Sequence, residues 1–390
     1  MNDEHRALRF ILLGGFLGAG KSTAIARLAR HYQQQGQRVG IVTNDQATDL
    51  VDTNSFRSQG FDVGEVPGAC FCCNFRQLTD TVAQLQAASR PDVILAEPVG
   101  SCTDLAATVI RPLQQLYAAT FDVAPYAVLL KPHHAWRILE GSRPVSVPGG
   151  GDETAAALGR ARGGFSPQAA YIFRKQLEEA DVIVINRIDE LKPDEAARLE
   201  QVVREHHPGV PVLRMSARTG AGFEALVELL AQRGRFGQRV MEVDYDAYAA
   251  GEAELGWLNA SVQVDAGQPW DLDRWLLAVV DQLRQMLEAL DAETAHLKVI
   301  GMGEGAYGVA NLISRDAPAE LSLASRAQIS TAHVVVNARV AIDPAVLQDA
   351  VTQAVEKACR DQNATCRWQQ VQSLRPGRPV PTHRILAPTA

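Results

Sequence analysis

The sequence predicts an α/β domain with a mainly parallel sheet, followed by a smaller α+β domain. Short apolar segments alternate with amphipathic helical segments from about residue 8 to 232, as in a parallel sheet with crossover helices. The chain of 390 residues is long enough for a second domain, and residues 257–371 follow the β-α-β-β-α-β order of a ferredoxin-like fold. We therefore expect domains at 1–232 and 257–390, joined by an irregular polar linker at 233–256.

A glycine-rich loop lies between the first apolar strand, residues 8–13, and the first helix, residues 23–35. It reads G-x-x-x-x-G-K-[ST], and in this setting the loop N–H groups and the positive end of the helix bind phosphates. Lys21 is expected to reach the terminal phosphates, and the Ser22 hydroxyl to ligate Mg²⁺. This is the arrangement of a P-loop NTPase. The residues expected to hold the nucleotide here are Gly15, Gly18, Ala19, Gly20, Lys21, Ser22 and Thr23.

An apolar strand at residues 93–97 ends in an acid, Glu97, and is followed three residues later by Gly100. Such an acid is a usual source of a carboxylate for Mg²⁺ or for its water shell. Gly100 lets a backbone N–H approach the γ-phosphate of the nucleotide. We therefore assign Lys21, Glu97 and Gly100 to the hydrolytic machinery.

Two further loops favour guanine over adenine as the base. The strand at 181–185 leads into Asn186-Arg187-Ile188-Asp189, which resembles the N-K-x-D sequence of GTP-binding proteins with Arg187 in place of Lys. The Asp accepts hydrogen bonds from guanine N1 and its exocyclic amine, which adenine cannot donate, and the Arg plane can stack on the base. After the next strand, Ser216 and Ala217 begin a loop that resembles S-A-K-T-G. Both loops in this order predict binding of GTP and GDP by a G domain.

Three of the six cysteines, Cys70, Cys72 and Cys73, fall within four residues. Thiolates suit Zn²⁺ and also Co²⁺, Ni²⁺ or Cu⁺, but three of them leave a tetrahedral site incomplete. Water, Glu65, Asp45 or a group from a client protein are candidates for the fourth ligand. An open position suits an ion that is bound for delivery.

Other interpretations of the cysteines stay open. A redox switch and inert buried thiols are alternatives to a metal site, whereas a disulfide is disfavoured because no signal peptide is recognised and cytoplasm is the expected compartment. The remaining cysteines, Cys102, Cys359 and Cys366, are isolated in the sequence, and we interpret them as packing residues.

The order of P-loop, C-x-C-C, E-x-x-G and N-[KR]-x-D resembles the CobW-type family of P-loop GTPases, which is related to the nickel-insertion GTPases of urease and hydrogenase maturation. The resemblance covers about the first 230 residues, and the remainder more loosely. It implies a GTP-dependent metallochaperone with Mg²⁺, a transition metal (zinc first, cobalt second) and a client metalloprotein. A homodimer is compatible with it.

This chain departs from the family pattern at several positions. Residues 44–48 read Asn-Asp-Gln-Ala-Thr where relatives have a sequence like N-E-F-G-E. Asp45 is the expected replacement for the first acid and a third candidate Mg²⁺ ligand, besides Ser22 and Glu97. A histidine-rich tract between the domains, common in relatives, is absent here.

Composition restricts the range of functions. Net charge is −7 and no helix carries a basic stripe, so nucleic acid is not an expected partner. No apolar run approaches membrane-spanning length, so a membrane is not expected either. A Gly- and Pro-rich segment, 141–166, predicts an exposed flexible insertion, which we interpret as tolerated rather than as a docking loop.

We therefore expect a GTP-hydrolysing metal-delivery protein in which GTP orders the cysteine segment and hydrolysis loosens it. Two alternatives remain. A metal-sensing regulatory GTPase would bind the same ligands with slow turnover. A P-loop small-molecule kinase, the more distant alternative, would need neither the guanine loops nor the cysteines.

Overall fold

The computed structural model describes residues 7–44, 51–140, 166–312 and 318–386. Asp45, a predicted Mg²⁺ ligand, and nearly all of the predicted insertion, 141–165, lie outside the described residues. Contacts divide the described chain into two units. Of the described residues, the first comprises 7–44, 55–140, 166–251 and 378–386, and the second comprises 51–54, 252–312 and 318–377.

The first unit alternates strands and helices, as the sequence predicts. Its strands are β1 (Leu8–Gly15), β2 (Val39–Asn44), β3 (Asp62–Val66), β4 (Val93–Glu97), β5 (Phe121–Val123), β6 (Ala127–Leu130), β7 (Val182–Ile185) and β8 (Val212–Arg214). The helices between them are α1 (Lys21–Gln34), α2 (Val51–Ser58), α3 (Phe75–Ser89), α4 (Arg111–Leu116), α5 (Pro132–Ala135), α6 (Pro167–Glu178), α7 (Pro193–His206) and α8 (Phe223–Leu230). Short irregular helical turns occupy Ala106–Ile110, Trp136–Glu140 and Ile188–Glu190.

The eight strands form one sheet in the order β3-β2-β4-β1-β6-β7-β8, with β5 also paired to β1, and every described pairing is parallel. All of β1 and β4 is buried, which is why both read as mainly apolar runs, apart from Arg9 and Glu97, rather than as alternating patterns. Because parallel strands end at the same edge, the loops that follow β1, β3, β4, β7 and β8 gather there.

Helix α1 covers this sheet with an apolar face. Its residues Ala24, Ile25 and Leu28 are fully buried and belong to the same core cluster as Ile11 of β1 and Leu95 of β4. Their spacing along the sequence is the i, i+1, i+4 pattern of a helix stripe. Burial of this stripe holds the amino end of α1, and with it the P-loop, against the carboxyl edge of the sheet.

The second unit is a purely antiparallel sheet with helices. Its strands are β9 (Gly256–Asp271), β10 (Thr294–Gly303), β11 (Ala306–Leu312), β12 (Glu320–Leu323), β13 (Gln328–Val340) and β14 (Ala364–Leu374), in the order β12-β11-β10-β13-β9-β14. Two long helices, α10 (Leu272–Ala289) and α11 (Pro344–Asp361), pack on the sheet through one continuous apolar core. This is the predicted β-α-β-β-α-β order, with β11 and β12 added beyond β10.

Two boundaries differ from the expectation. The polar linker predicted at 233–256 contains a helix, α9 (Tyr245–Ala253), because Tyr248 is fully buried and anchors one face of an otherwise polar segment. The C-terminal tail, residues 378–386, groups with the first unit rather than with the second. Among the described residues, no helix is long and apolar enough to cross a membrane.

Gly15, the last residue of β1, lies too close to the neighbouring strand β6 to accommodate a side chain. Its φ is +134°, and a β-carbon there would lie 2.3 Å from the backbone oxygen of Leu129. Gly15→Ala should therefore lower the free energy of unfolding by about 3 kcal/mol, measured by chemical denaturation. Gly60→Ala is the control, because Gly60 also has a positive φ, +82°, but no atom within 4 Å of the added carbon. It should cost only about 1 kcal/mol. Equal losses in the two variants would contradict a steric role for Gly15.

Candidate nucleotide and metal site

The P-loop closes on itself through Lys21. Gly18 and Gly20 have positive φ values, +73° and +89°, which non-glycine residues adopt only with strain. The buried Lys21 ammonium donates to the Gly15 carbonyl at 2.9 Å. The predicted phosphate-binding residues therefore form one loop that leads into the amino end of α1, and the ammonium group of Lys21 lies against this loop.

The two predicted Mg²⁺ ligands within the described chain lie together. The Ser22 hydroxyl donates to Oε1 of Glu97 at 2.9 Å, and Glu97 is only 6% exposed. A hydroxyl and a carboxylate at this distance form the oxygen-rich pair that Mg²⁺ prefers. A β-carbon on Gly100 would lie 3.1 Å from Nζ of Lys21, so the loop after β4 runs directly beside the P-loop.

Asn186 joins the two predicted guanine loops to the P-loop. Its Nδ2 donates to the Ala19 carbonyl at 2.8 Å, and its Oδ1 accepts from the Ala217 N–H at 2.9 Å. The side chain is almost completely buried, so both bonds are shielded from water. From α1, Arg27 adds a bond to the Ala217 carbonyl at 2.7 Å. Three loops that are distant in sequence thus form one surface.

Asp189 stands at the rim of this surface. Partial burial acts to raise the pKa of its carboxyl, but hydrogen bonds from Ser216 and Arg218 prevail and lower the pKa. The group is therefore ionised at neutral pH, as an acceptor for guanine N–H groups must be. The neighbouring Arg187 has a φ of +62° and pairs with Glu190. Its guanidinium belongs to the same rim.

The three clustered cysteines bring their sulfur atoms together. Sγ of Cys70 lies 2.9 Å from that of Cys72 and 3.2 Å from that of Cys73, and the last two are 3.7 Å apart. Two thiolates on a tetrahedral zinc ion are about 3.8 Å apart, given a Zn–S distance near 2.3 Å. Within the described ranges, no carboxylate or imidazole joins the group, so Glu65 does not complete it. The arrangement can hold a soft metal through three sulfurs.

Comparison with known proteins identifies the family. The family model described as CobW/HypB/UreG, nucleotide-binding domain, matches residues 9–214, which is more than half of the chain. The chain belongs to this family. The resemblance inferred from the motifs is thereby confirmed.

The individual relatives share little more than a quarter of their aligned residues with this chain. Urease accessory protein UreG 2 of a Bradyrhizobium species is 27% identical over 249 residues, which cover 60% of this chain and 95% of that protein. The zinc chaperone YeiR of Escherichia coli K12 is 26% identical over 197 residues, which span 49% of each chain. Among solved structures, Zn(II)-bound YjiA GTPase of E. coli aligns over 90% of this chain and 99% of its own, with 14% identity and a TM-score of 0.35. Hydrogenase maturation factor HypB of Archaeoglobus fulgidus covers 57% of this chain and 88% of its own, with 15% identity and a TM-score of 0.36.

In this CobW/HypB/UreG-family chain, one buried amide at the end of β2 shapes the cysteine turn. Asn44 donates to the carbonyls of Val66 and Ala69 at 2.8 and 2.7 Å and accepts from the Phe71 N–H at 2.8 Å. The sequence analysis included Asn44 only as the first residue of the segment 44–48, which departs from the family pattern. An Asn at the end of an apolar strand could have indicated this role, because its side chain often hydrogen-bonds to the backbone of a turn.

The C-terminal tail also contacts the turn, which the sequence did not indicate. The Val380 N–H donates to Sγ of Cys73 at 3.3 Å, and the Thr382 N–H donates to the Cys72 carbonyl at 2.8 Å. Farther along, Arg384 donates to the buried carboxylate of Asp104 at 2.6 Å. A contact across some 300 residues leaves no local sequence pattern.

The cysteines that are isolated in the sequence have thiol neighbours in the fold, while their expected role as packing residues stays a prediction. The Cys102 side chain hydrogen-bonds to Cys72, because the loop after β4 and the turn after β3 end at the same sheet edge. In the second unit, Cys359 of α11 hydrogen-bonds to Cys366 of β14. Each pair is separated in sequence and adjacent only in the fold.

Two thiols of the turn, Cys72 and Cys73, have raised pKa values. Hydrogen bonds with Cys102 and Cys70, followed by burial, raise the pKa of Cys72 well above its ordinary value. Its hydrogen bond to Cys70, together with burial, raises the pKa of Cys73 to about 11, against opposing contacts with Cys72 and Val380. A metal that binds these sulfurs must therefore displace protons.

The Asn186 bridge predicts a large effect on nucleotide binding. Asn186→Ala removes both bonds and leaves a buried carbonyl and a buried N–H unpaired, at about 1–3 kcal/mol each. Affinity for GDP should fall by about 10-fold or more, measured with a fluorescent nucleotide. Asn186→Asp keeps an acceptor for Ala217 but loses the donor to Ala19, so it should also bind weakly. Wild-type affinity in the alanine variant would refute the bridge as a determinant of the site.

Proposed function

We propose that the chain is a GTP-hydrolysing metallochaperone, which binds a transition metal through Cys70, Cys72 and Cys73 and delivers it to a client metalloprotein. Zinc is the first candidate cargo and cobalt the second. The observation that carries the proposal is the convergence of three sulfur atoms, 2.9 to 3.7 Å apart, at the same sheet edge as the P-loop. Relatives named as a urease accessory protein and a zinc chaperone support it.

GTP would occupy the surface built by the P-loop and the two guanine loops. Lys21 exchanges its bond to the Gly15 carbonyl for the terminal phosphates, and Asp189 accepts from the guanine N–H groups. When bound between Ser22 and Glu97, Mg²⁺ supplies positive charge that stabilises the developing charge on the phosphates. The residues in this role are Gly15, Gly18, Ala19, Gly20, Lys21, Ser22, Thr23, Glu97, Gly100, Asn186, Arg187, Asp189, Ser216 and Ala217.

The nucleotide and metal sites share structural supports. Asn44, at the end of β2, holds the cysteine turn through three hydrogen bonds, and strand β2 pairs with β4, which carries Glu97. A change in the phosphate site therefore has a short path to the cysteines. In the proposed cycle, GTP favours the metal-holding state and hydrolysis favours release, which requires different metal affinities in the GTP and GDP states.

The base specificity can be tested at Asp189. In Asp189→Asn, the amide offers one acceptor and one donor, which fits the carbonyl of xanthine better than the amine of guanine. GTP affinity should fall by about 10-fold or more while xanthosine triphosphate binds more tightly than in the wild type, both measured by calorimetry. Asp194→Asn, an exposed acid on α7, is the control and should change neither. Unaltered GTP binding in Asp189→Asn would contradict the assignment.

Coupling to metal is tested by hydrolysis. Metal-stripped protein with Mg²⁺ and GTP should turn over about 5-fold faster, or more, when Zn²⁺ or Co²⁺ is added. Cys72→Ser should abolish that response because a hydroxyl is a poor ligand for these ions. Cys366→Ser, a half-buried cysteine of the second unit, should keep it. Metal-independent turnover in the wild type would argue against delivery; metal binding with uniformly slow hydrolysis would favour a metal-sensing regulator.

A further inference from the structure

A fourth cysteine, which lies outside the C-x-C-C sequence, contacts the group of three that this sequence forms. Cys102 lies 32 residues beyond Cys70, and its side chain hydrogen-bonds to Cys72. Both of these thiols are 1% exposed. Chance packing of small apolar side chains explains one buried cysteine, but less readily a fourth thiol in contact with a ready-made group of three.

The position of Cys102 is set independently of the cysteine turn. Gln176 of α6 donates to the carbonyls of both Gly100 and Cys102, at 2.9 and 2.8 Å. One residue further, the Thr103 hydroxyl donates to Glu179 at 3.2 Å. These buried bonds hold the loop after β4, whereas Asn44 holds the turn after β3. Two separately supported backbone segments thus bring Cys102 and Cys72 into contact.

We propose that Cys102 is the fourth thiolate of the transition-metal site and completes a tetrahedral four-sulfur centre. The inference rests on the proposed function, since it assumes that the cysteine group binds a metal. Tetrahedral coordination by four thiolates is a common arrangement for zinc. Each thiol that joins the ion releases its proton to solvent, so one divalent ion bound by four thiols releases four protons and carries a net charge of −2 with its ligands.

Closure of the centre requires the sulfur atoms to move closer together. The three turn sulfurs lie within 4.8 Å of one another, whereas Cys102 contacts Cys72 without lying within 4.8 Å of all three. The centre is therefore complete only when an ion draws the four sulfurs together.

A ligand at Cys102 would connect the metal directly to the phosphate site. Cys102 lies two residues after Gly100, and a β-carbon added at Gly100 would lie 3.1 Å from Nζ of Lys21. Binding of metal by Cys102 should therefore restrain the loop that contacts the γ-phosphate, which gives the stimulation of GTP hydrolysis a physical route.

The thiolate count is the decisive measurement. Full-length protein is stripped of metal, loaded with Co²⁺ in the presence of a non-hydrolysable GTP analogue, and examined by thiolate-to-cobalt charge-transfer absorption, whose intensity follows the number of bound thiolates. Cys102→Ser, which is close in volume, should lower that intensity by about a quarter and weaken Co²⁺ binding by about 10-fold or more. Cys366→Ser is the matched control and should leave both unchanged.

X-ray absorption on the zinc-loaded wild type keeps the test independent of how the variant folds. Four sulfur scatterers around zinc support the proposal, and three sulfurs with one oxygen or nitrogen overturn it. Absence of metal binding by the wild type would instead overturn the proposed function itself.

In a third readout, Cys102→Ser should still bind Co²⁺ through three thiolates but lose metal stimulation of GTP hydrolysis. Retained stimulation would contradict the role of Cys102 as the link between the metal and the phosphate site.

Discussion

Parallel pairing between β1 and β4 is the constraint on which the site depends. Leu12 pairs with Ala96, so the chain leaves both strands at one level, from β1 into the P-loop and from β4 into the loop that carries Gly100. The same edge receives the cysteine turn from β3 and the guanine loops from β7 and β8. Parallel strands joined by crossover helices produce this gathering wherever the fold occurs. The order of the strands in the sheet therefore decides which loops lie together at this site.

Buried side-chain amides then turn separate loops into one surface. Asn44, Gln176 and Asn186 each hydrogen-bond at least two backbone groups of other segments. Backbone N–H and C=O groups of irregular loops need hydrogen-bond partners when they are buried. The side-chain amide of Asn or Gln supplies both a donor and an acceptor for such groups. Phosphate, base and metal regions are therefore held by a few polar anchors rather than by apolar packing alone.

Prediction from sequence succeeded where contiguous residues carry the signal. Strand β4 has the predicted bounds, and Ser22 meets Glu97 as their motifs imply. It failed where the signal depends on distant partners. Cys102 has no cysteine neighbour in sequence, and Tyr248 is a buried aromatic residue in a polar segment that gave no reason to expect a helix. The hydrogen bond between Val380 and Cys73 joins two residues that are 307 positions apart in the sequence.

The sequence by itself determined the α/β alternation, the P-loop, the three-cysteine turn and the family, because each resides in spacing along a continuous backbone. Only the tertiary structure decided which of these segments touch. Contact between Cys102 and Cys72, or between Asn186 and Ala19, depends on the order in which strands lie in the sheet. That order is set by packing of the whole unit, since no local spacing specifies the neighbour of a strand.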